Sequence, residues 1–230
     1  HVLFRRQRQM CIRDRSLEYG VDEGRYIEEV DSNGETVGTY YGLNWVFAAG
    51  NSRSQGDNTN YHNFQNSRYV TTVAATNSYG QTSKFSTPGA SILVSAFGED
   101  VFTTCLNCAG PNDPNGYGNF SGTSAAAPVV SGVIALMLEA NKTLGYRDVQ
   151  NILAYSARQE ISEGFKFNGA NNWNGGGLHI SHDQGFGLVD AHAAVRLAES
   201  WDRPAQVAAN EQMLVRRLNN SGAIPDNDTS

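Results

Sequence analysis

The 230-residue chain carries 17 Lys and Arg against 23 Asp and Glu, a formal net charge of -6. Arg5, Arg6, Arg8, Arg13 and Arg15, set against Asp14, mean that residues 16–230 carry -10. A chain this acidic with no basic stripe is a poor partner for nucleic acid or an anionic membrane surface, and its longest apolar run, within Val129–Leu138, is well short of the roughly twenty residues needed to cross a bilayer.

The run Arg5 to Asp14 reads, codon for codon, as a translated transposase sequencing adaptor, so residues 1–15 are expected to be foreign to the protein. Ser16 to Tyr41 is charged and rich in Gly and Tyr without clean periodicity, and is expected to be loop with part of a helix or hairpin. Trp45-Val46-Phe47-Ala48-Ala49-Gly50-Asn51 is a short apolar run ending in Gly-Asn. It predicts a buried parallel strand that delivers Asn51 to the crevice where open α/β sheets bind ligands. An amide side chain there is an uncharged N–H donor suited to a developing oxyanion.

A polar loop from Asn51 to Tyr69 follows, then a β-branched strand, Tyr69 to Thr76. Phe85 to Gly89 predicts a turn, Ile92 to Ala96 another strand, and Thr103 to Phe120 a loop rich in Gly, Pro and Asn. With Cys11 set aside, Cys105 and Cys108 in that loop are the remaining cysteines. The pair admits a redox motif, half a zinc site or a local disulfide. No strand-to-helix context supports the first and no second pair supports the second; a loop-closing disulfide leads in a secreted chain, with free thiols the remaining reading.

Gly122-Thr123-Ser124-Ala125-Ala126-Ala127-Pro128 runs straight into Val129 to Leu138. The apolar run predicts a helix buried on all sides. Pro128 is expected within its first turn, placing Ser124 at the N-terminus, where free amides and the helix dipole favour negative charge. A second, amphipathic helix is expected from Leu144 to Ala157, a structureless loop from Phe165 to Gly177, and a Gly-x-Gly turn feeding a helix from Ala191 to Trp201 capped by Asp190.

Gly122 to Pro128 with Ser131-Gly132 resembles the nucleophile signature of the subtilisin-like serine proteases, and the run from Ser124 to Tyr155 is similar to their kexin and furin branch and its bacterial relatives. The resemblance implies an α/β fold, a doubly wound, mostly parallel sheet with flanking helices, incomplete here. It implies Ser124 as nucleophile and Asn51 as oxyanion-hole donor, with Ala48, Ala49 and Gly50 as substrate-binding residues. Residues 16–201 would be the C-terminal part of the peptidase domain, and residues 202–230 a linker and the truncated start of a β-sandwich P domain, on the likeness of Met213-Leu214-Val215 and Ala223 to Asp228.

The resemblance also implies calcium as a cofactor, with Asp57 as its ligand near the pocket for the residue preceding the cleaved bond. This chain departs from that pattern twice. Thr87 stands where a second acidic ligand is expected, and His62 where an acidic residue reads basic side chains. Implied partners are a protein or peptide substrate and the enzyme's own propeptide, with a monomeric, extracellular protein and no nucleic acid or membrane.

A Ser-His-Asp mechanism needs a histidine to take the serine proton and an aspartate to orient it. In this family both precede the oxyanion asparagine, and no histidine lies between Ser16 and Asn51. His179, His182 and His192 are expected to be structural or solvated. Losing the histidine costs subtilisin about 10⁶ in turnover, so the chain as written is expected to be inactive. Two other readings remain from the sequence: a binding module on the same fold without the triad, and a different α/β hydrolase whose histidine follows its serine.

Overall fold

A computed structural model describes residues 15–104, 116–159 and 178–211. Residues 1–14, the cysteine pair, the loop expected from Phe165 to Gly177 and the P-domain likeness beyond Glu211 lie outside the described residues.

The segment expected to be loop with part of a helix or hairpin folds as both a helix and a hairpin. Residues 15–23 form helix α1, and β1 (Tyr26–Val30) pairs antiparallel with β2 (Thr36–Tyr40). The hairpin turn is built by Asp31, whose carboxylate accepts from Asn33 N at 2.9 Å and Glu35 N at 2.8 Å. Arg25 anchors the hairpin base through carbonyls of Gly42, Leu144 and Lys142.

Three strands then form a parallel sheet, β3 (Trp45–Ala48), β4 (Val70–Thr76) and β5 (Ile92–Phe97), in the order β3-β4-β5. Central strand β4 is buried at every residue, as parallel sheets covered on both faces require. Edge strand β3 is half-buried along its length. β6 (Val101–Thr104) and β7 (Tyr117–Phe120) pair antiparallel within the stretch expected to be loop. Gly and Asn concealed that hairpin in the sequence; Phe102 stacking on Tyr117 at 5.6 Å across the pair supplies its side-chain contact.

Helix α2 (Thr123–Ala140) packs over all three parallel strands, while α3 (Tyr146–Ser156) and α4 (Ala191–Glu199) close the core. Val73, Val94 and Ala96 of the sheet meet Val130, Ile134 and Met137 of α2, and Ile152 and Leu153 of α3. As expected, Asp190 caps α4, its carboxylate accepting from Ala193 N at 2.9 Å.

Two expectations for α2 need correction. Pro128 is the sixth residue of the helix rather than part of its first turn. The start is set instead by contacts from outside, Gly122 N to Gly98 O at 2.7 Å and Thr123 N to the Asn51 side chain at 2.9 Å. Nor is the helix buried all round: Val129 is 39% and Leu136 55% exposed, so one apolar face is open among the described residues. Its 18 residues, mean hydropathy 1.5, are long and apolar enough to cross a membrane by length and composition alone; packing on the sheet accounts for the buried face only.

Candidate active site

Strand β3 carries the chain to Ala49, whose N–H donates to Val73 O at 2.9 Å as the last rung beside β4. Gly50 follows at φ 108, a conformation that a side chain would strain. Its N–H donates to Thr123 Oγ1 at 3.1 Å, and its carbonyl accepts from Thr87 N at 2.9 Å. The turn thus projects Asn51 beside the start of α2.

There Thr123, fully buried, holds the Asn51 carbonyl oxygen twice, through its backbone N at 2.9 Å and its Oγ1 at 2.9 Å. With Oδ1 committed, the Asn51 amide presents Nδ2 on the other side. A Cβ placed on Gly122 would stand 3.3 Å from Asn51 Nδ2 and 3.7 Å from Ser124 N. Two uncharged donors therefore flank the small volume that Gly122 leaves free, at the N-terminus of an 18-residue helix. Such an arrangement suits an anionic oxygen. Ser124 is exposed beside it.

The structure thus places Asn51 Nδ2 and Ser124 N on either side of Gly122. It separates the three substrate-binding candidates. Ala48 and Gly50 are partly exposed, whereas Ala49 is fully buried in a cluster with Ala74 and Ile92, so its side chain faces the core. Sequence reasoning missed Thr123 as the residue that aims Asn51; its signal was the Thr in Gly-Thr-Ser. It also treated Thr87 only as a departure. Thr87 braces the turn at Gly50 and Asn51, its Oγ1 accepting from Ser52 N at 3.0 Å while its N–H donates to Gly50 O.

The structure places Asp57, the expected calcium ligand, against His62. Both of its carboxylate oxygens face His62 Nε2, at 3.0 and 2.9 Å, and Oδ1 also accepts from Asn58 N at 2.9 Å. The His62 hydrogen bond holds the Asp57 carboxyl below the usual carboxylate range. Among the described residues no three His, Cys, Asp or Glu gather into one group, so a calcium ion at Asp57 would draw most of its six to eight oxygens from backbone carbonyls, amide side chains or water. The residue that replaces an acidic neighbour is the one that occupies Asp57.

The other histidines are placed elsewhere. Burial pushes His179 below the ordinary imidazole value, against a backbone hydrogen bond at Phe186. The His182 carbonyl accepts from Gly89 N at 2.8 Å, and His192 lies on α4.

Compared with known proteins, residues 18–187 match the model of the subtilase family. The chain is 34% identical over 196 residues to kexin of Saccharomyces cerevisiae, an alignment covering 82% of this chain and 21% of kexin. It is 34% identical over 194 residues to proprotein convertase subtilisin/kexin type 6 of Rattus norvegicus, covering 81% and 18%, and 32% identical over 167 residues to furin of Homo sapiens, covering 68% and 19%. The chain thus spans about a fifth of the length of these curated relatives. Among solved structures, the Aeromonas sobria serine protease in complex with its chaperone superposes with a TM-score of 0.64 at 22% identity, over 88% of this chain and 40% of that one. Fervidolysin of Fervidobacterium pennivorans, a keratinolytic enzyme related to subtilisin, gives 0.51 at 28% identity, over 67% and 22%. The fold is accordingly the subtilisin-like α/β fold, with a parallel sheet and flanking helices.

Proposed function

The chain belongs to the subtilase family, and from that premise we propose that residues 16–201 are the nucleophile-bearing part of a serine endopeptidase domain that hydrolyses protein or peptide substrates. The observation that carries this reading is the Thr123 clamp on Asn51, which turns an amide donor toward the same small volume as Ser124 N. Ser124 Oγ attacks the peptide carbonyl. The oxyanion then accepts hydrogen bonds from Asn51 Nδ2 and Ser124 N, both in place before the reaction begins. The proton leaving Ser124 Oγ goes to a histidine, held by an aspartate, on a segment of the parent protein other than these 230 residues.

On this reading the chain by itself is inactive. The parent is an extracellular monomer with its own propeptide, acting on peptides rather than on nucleic acid or membrane, and residues 202–230 lead into a P domain. The His62 contact argues against an acidic pocket at Asp57, and hence against a strict preference for Arg or Lys there.

A serine-directed fluorophosphonate added to the intact parent tests the proposal. The expected result is an adduct at Ser124, lost in Ser124→Ala and not formed by the 230-residue chain. An intact, folded parent that takes no label at Ser124 overturns the protease reading in favour of a binding module on the same fold.

A further inference from the structure

After α4 the chain does not simply leave the domain. Residues 202–211 run back across the start of α3 as a strap. Asp148, fully buried, receives it: its carboxylate accepts from Gln206 N at 2.8 Å, from Trp201 Nε1 at 3.0 Å and from Gly145 N at 2.9 Å. Val207 is 6% exposed, and Asn210 ties the end of the strap to itself through Ala205 O at 2.7 Å and Val207 N at 3.1 Å.

The strap ends by delivering Glu211 into a cluster of groups from two other elements. Its carboxylate accepts from Tyr146 Oη of α3 and from the Arg68 guanidinium, with Arg147 Nε at 3.5 Å. Burial, and the carboxylate at its side, push the Tyr146 hydroxyl up to about 12, so it remains a donor throughout the neutral range. Two arginines and a phenol converge on one carboxylate, a network rather than an isolated surface pair.

Arg68 is not a bystander at the surface. It closes the loop that begins after Asn51, and this loop lies against β3, next to the Ala48–Gly50 segment that leads to Asn51. Phe64 stacks on Phe47 at 5.2 Å, Gln65 Nε2 donates to Ala48 O at 3.2 Å, and Thr72 Oγ1 of β4 holds Gln65 O at 2.8 Å. The Arg68 carbonyl is itself held by Gln150 Nε2 of α3 at 3.3 Å. Contacts therefore link the strap through Glu211 to Arg68, the loop backbone links Arg68 to Gln65 with Ser67 N donating to Phe64 O at 3.2 Å, and Gln65 reaches Ala48, three residues before Asn51.

We propose that Glu211 is a positioning residue for substrate binding: it holds Arg68, and through Arg68 the loop that braces Ala48, so that the segment leaving the domain sets the substrate wall of the site. The inference rests on the protease reading for its effect on substrate. The contacts themselves do not depend on that reading. Glu211 touches no reacting atom, so its loss moves substrate affinity and leaves the Ser124 and Asn51 geometry in place.

The test is a double-mutant cycle of Glu211→Gln and Arg68→Gln in the intact parent, read by peptide hydrolysis and, on a Ser124→Ala background, by hydrogen exchange. Each single variant is expected to raise KM about 2- to 30-fold with kcat little changed. The double variant should be no worse than either single one, and exchange should rise in residues 62–69 but not in β5. Additive effects, an unchanged KM, or equal loosening of β5 would overturn the proposal, the last marking Glu211 as merely structural. Because exchange is read without turnover, a parent that neither cleaves peptide nor labels at Ser124 defeats the protease reading, while the exchange pattern still decides whether Glu211 holds the loop.

Discussion

Replacing Thr123 with Val isolates the part of the site that aims Asn51, the proposed oxyanion donor. The two side chains have nearly the same shape, and Thr123 is fully buried, so no cavity opens. What is lost is one hydroxyl that donates to Asn51 Oδ1 at 2.9 Å and accepts from Gly50 N at 3.1 Å. Stranding the Gly50 N–H costs about 1–3 kcal/mol of stability. Asn51 keeps its second anchor, Thr123 N at 2.9 Å, so the donor is loosened and not removed. Removing an oxyanion donor outright costs about 10² to 10³ in kcat, or roughly 2.7–4 kcal/mol. Losing one of two anchors should forfeit a fraction of that, about 1–2 kcal/mol, which is about a 5- to 30-fold fall in kcat. Steady-state hydrolysis of a peptide by the intact parent checks this, alongside a denaturant midpoint. KM should hold, and Thr123→Ser, which restores the hydroxyl, should recover most of the rate. If Thr123→Val keeps kcat within twofold while Asn51→Ala does not, Asn51 is aimed by something other than this clamp, and the account of the site fails.

Other expectations follow from the same contacts. Asn51→Ala should lower kcat about 10² to 10³-fold with little change in KM; a loss in KM alone would place Asn51 in substrate binding instead. Asp148→Ala strands Gly145 N, Gln206 N and Trp201 Nε1, and should cost about 3 kcal/mol by denaturant unfolding of the parent; a cost below about 1 kcal/mol would mean the strap is held without it. The Glu211 carboxyl has a pKa below its ordinary value: burial opposes its charge, and the hydrogen bonds from Tyr146 and Arg68, with the nearby guanidinium charges, outweigh that. The strap should therefore be fully held above the ordinary value of 4.5 and be released as pH falls through the lower folded value. Exchange at residues 202–211 against pH reads that release, and Glu211→Gln should abolish the pH dependence.

Much of the site was legible in the chain because its signals are local. Gly122-Thr123-Ser124 and Ala48 to Asn51 are short, contiguous patterns, and each serves a backbone geometry that its own residues impose: a positive φ at Gly50, and a helix that begins at Thr123. The parallel strands β4 and β5 were readable for the same reason, as β-branched or apolar runs of strand length, and Asp190 as a cap because capping reaches only three residues ahead.

What sequence reading could not reach depends on residues far apart in the chain. The start of α2 was read from Pro128, yet it is set by Asn51, 72 residues earlier, because a free helical amide takes whichever acceptor the fold brings to it. The open face of α2 was invisible for the same reason: composition records that Val129 and Leu136 are apolar, but only the arrangement of neighbours decides whether anything covers them. Asp57 carries the residue type of a calcium ligand, and the tertiary fold gives it a histidine five residues on. The choice of Ser124 and Asn51 as the proposed nucleophile and oxyanion donor thus came from local sequence. Their aim, the fate of the lone carboxylate and the return of the strap to Arg68 were decided by tertiary structure, since hydrogen bonds and burial are properties of where side chains meet and not of their order along the chain.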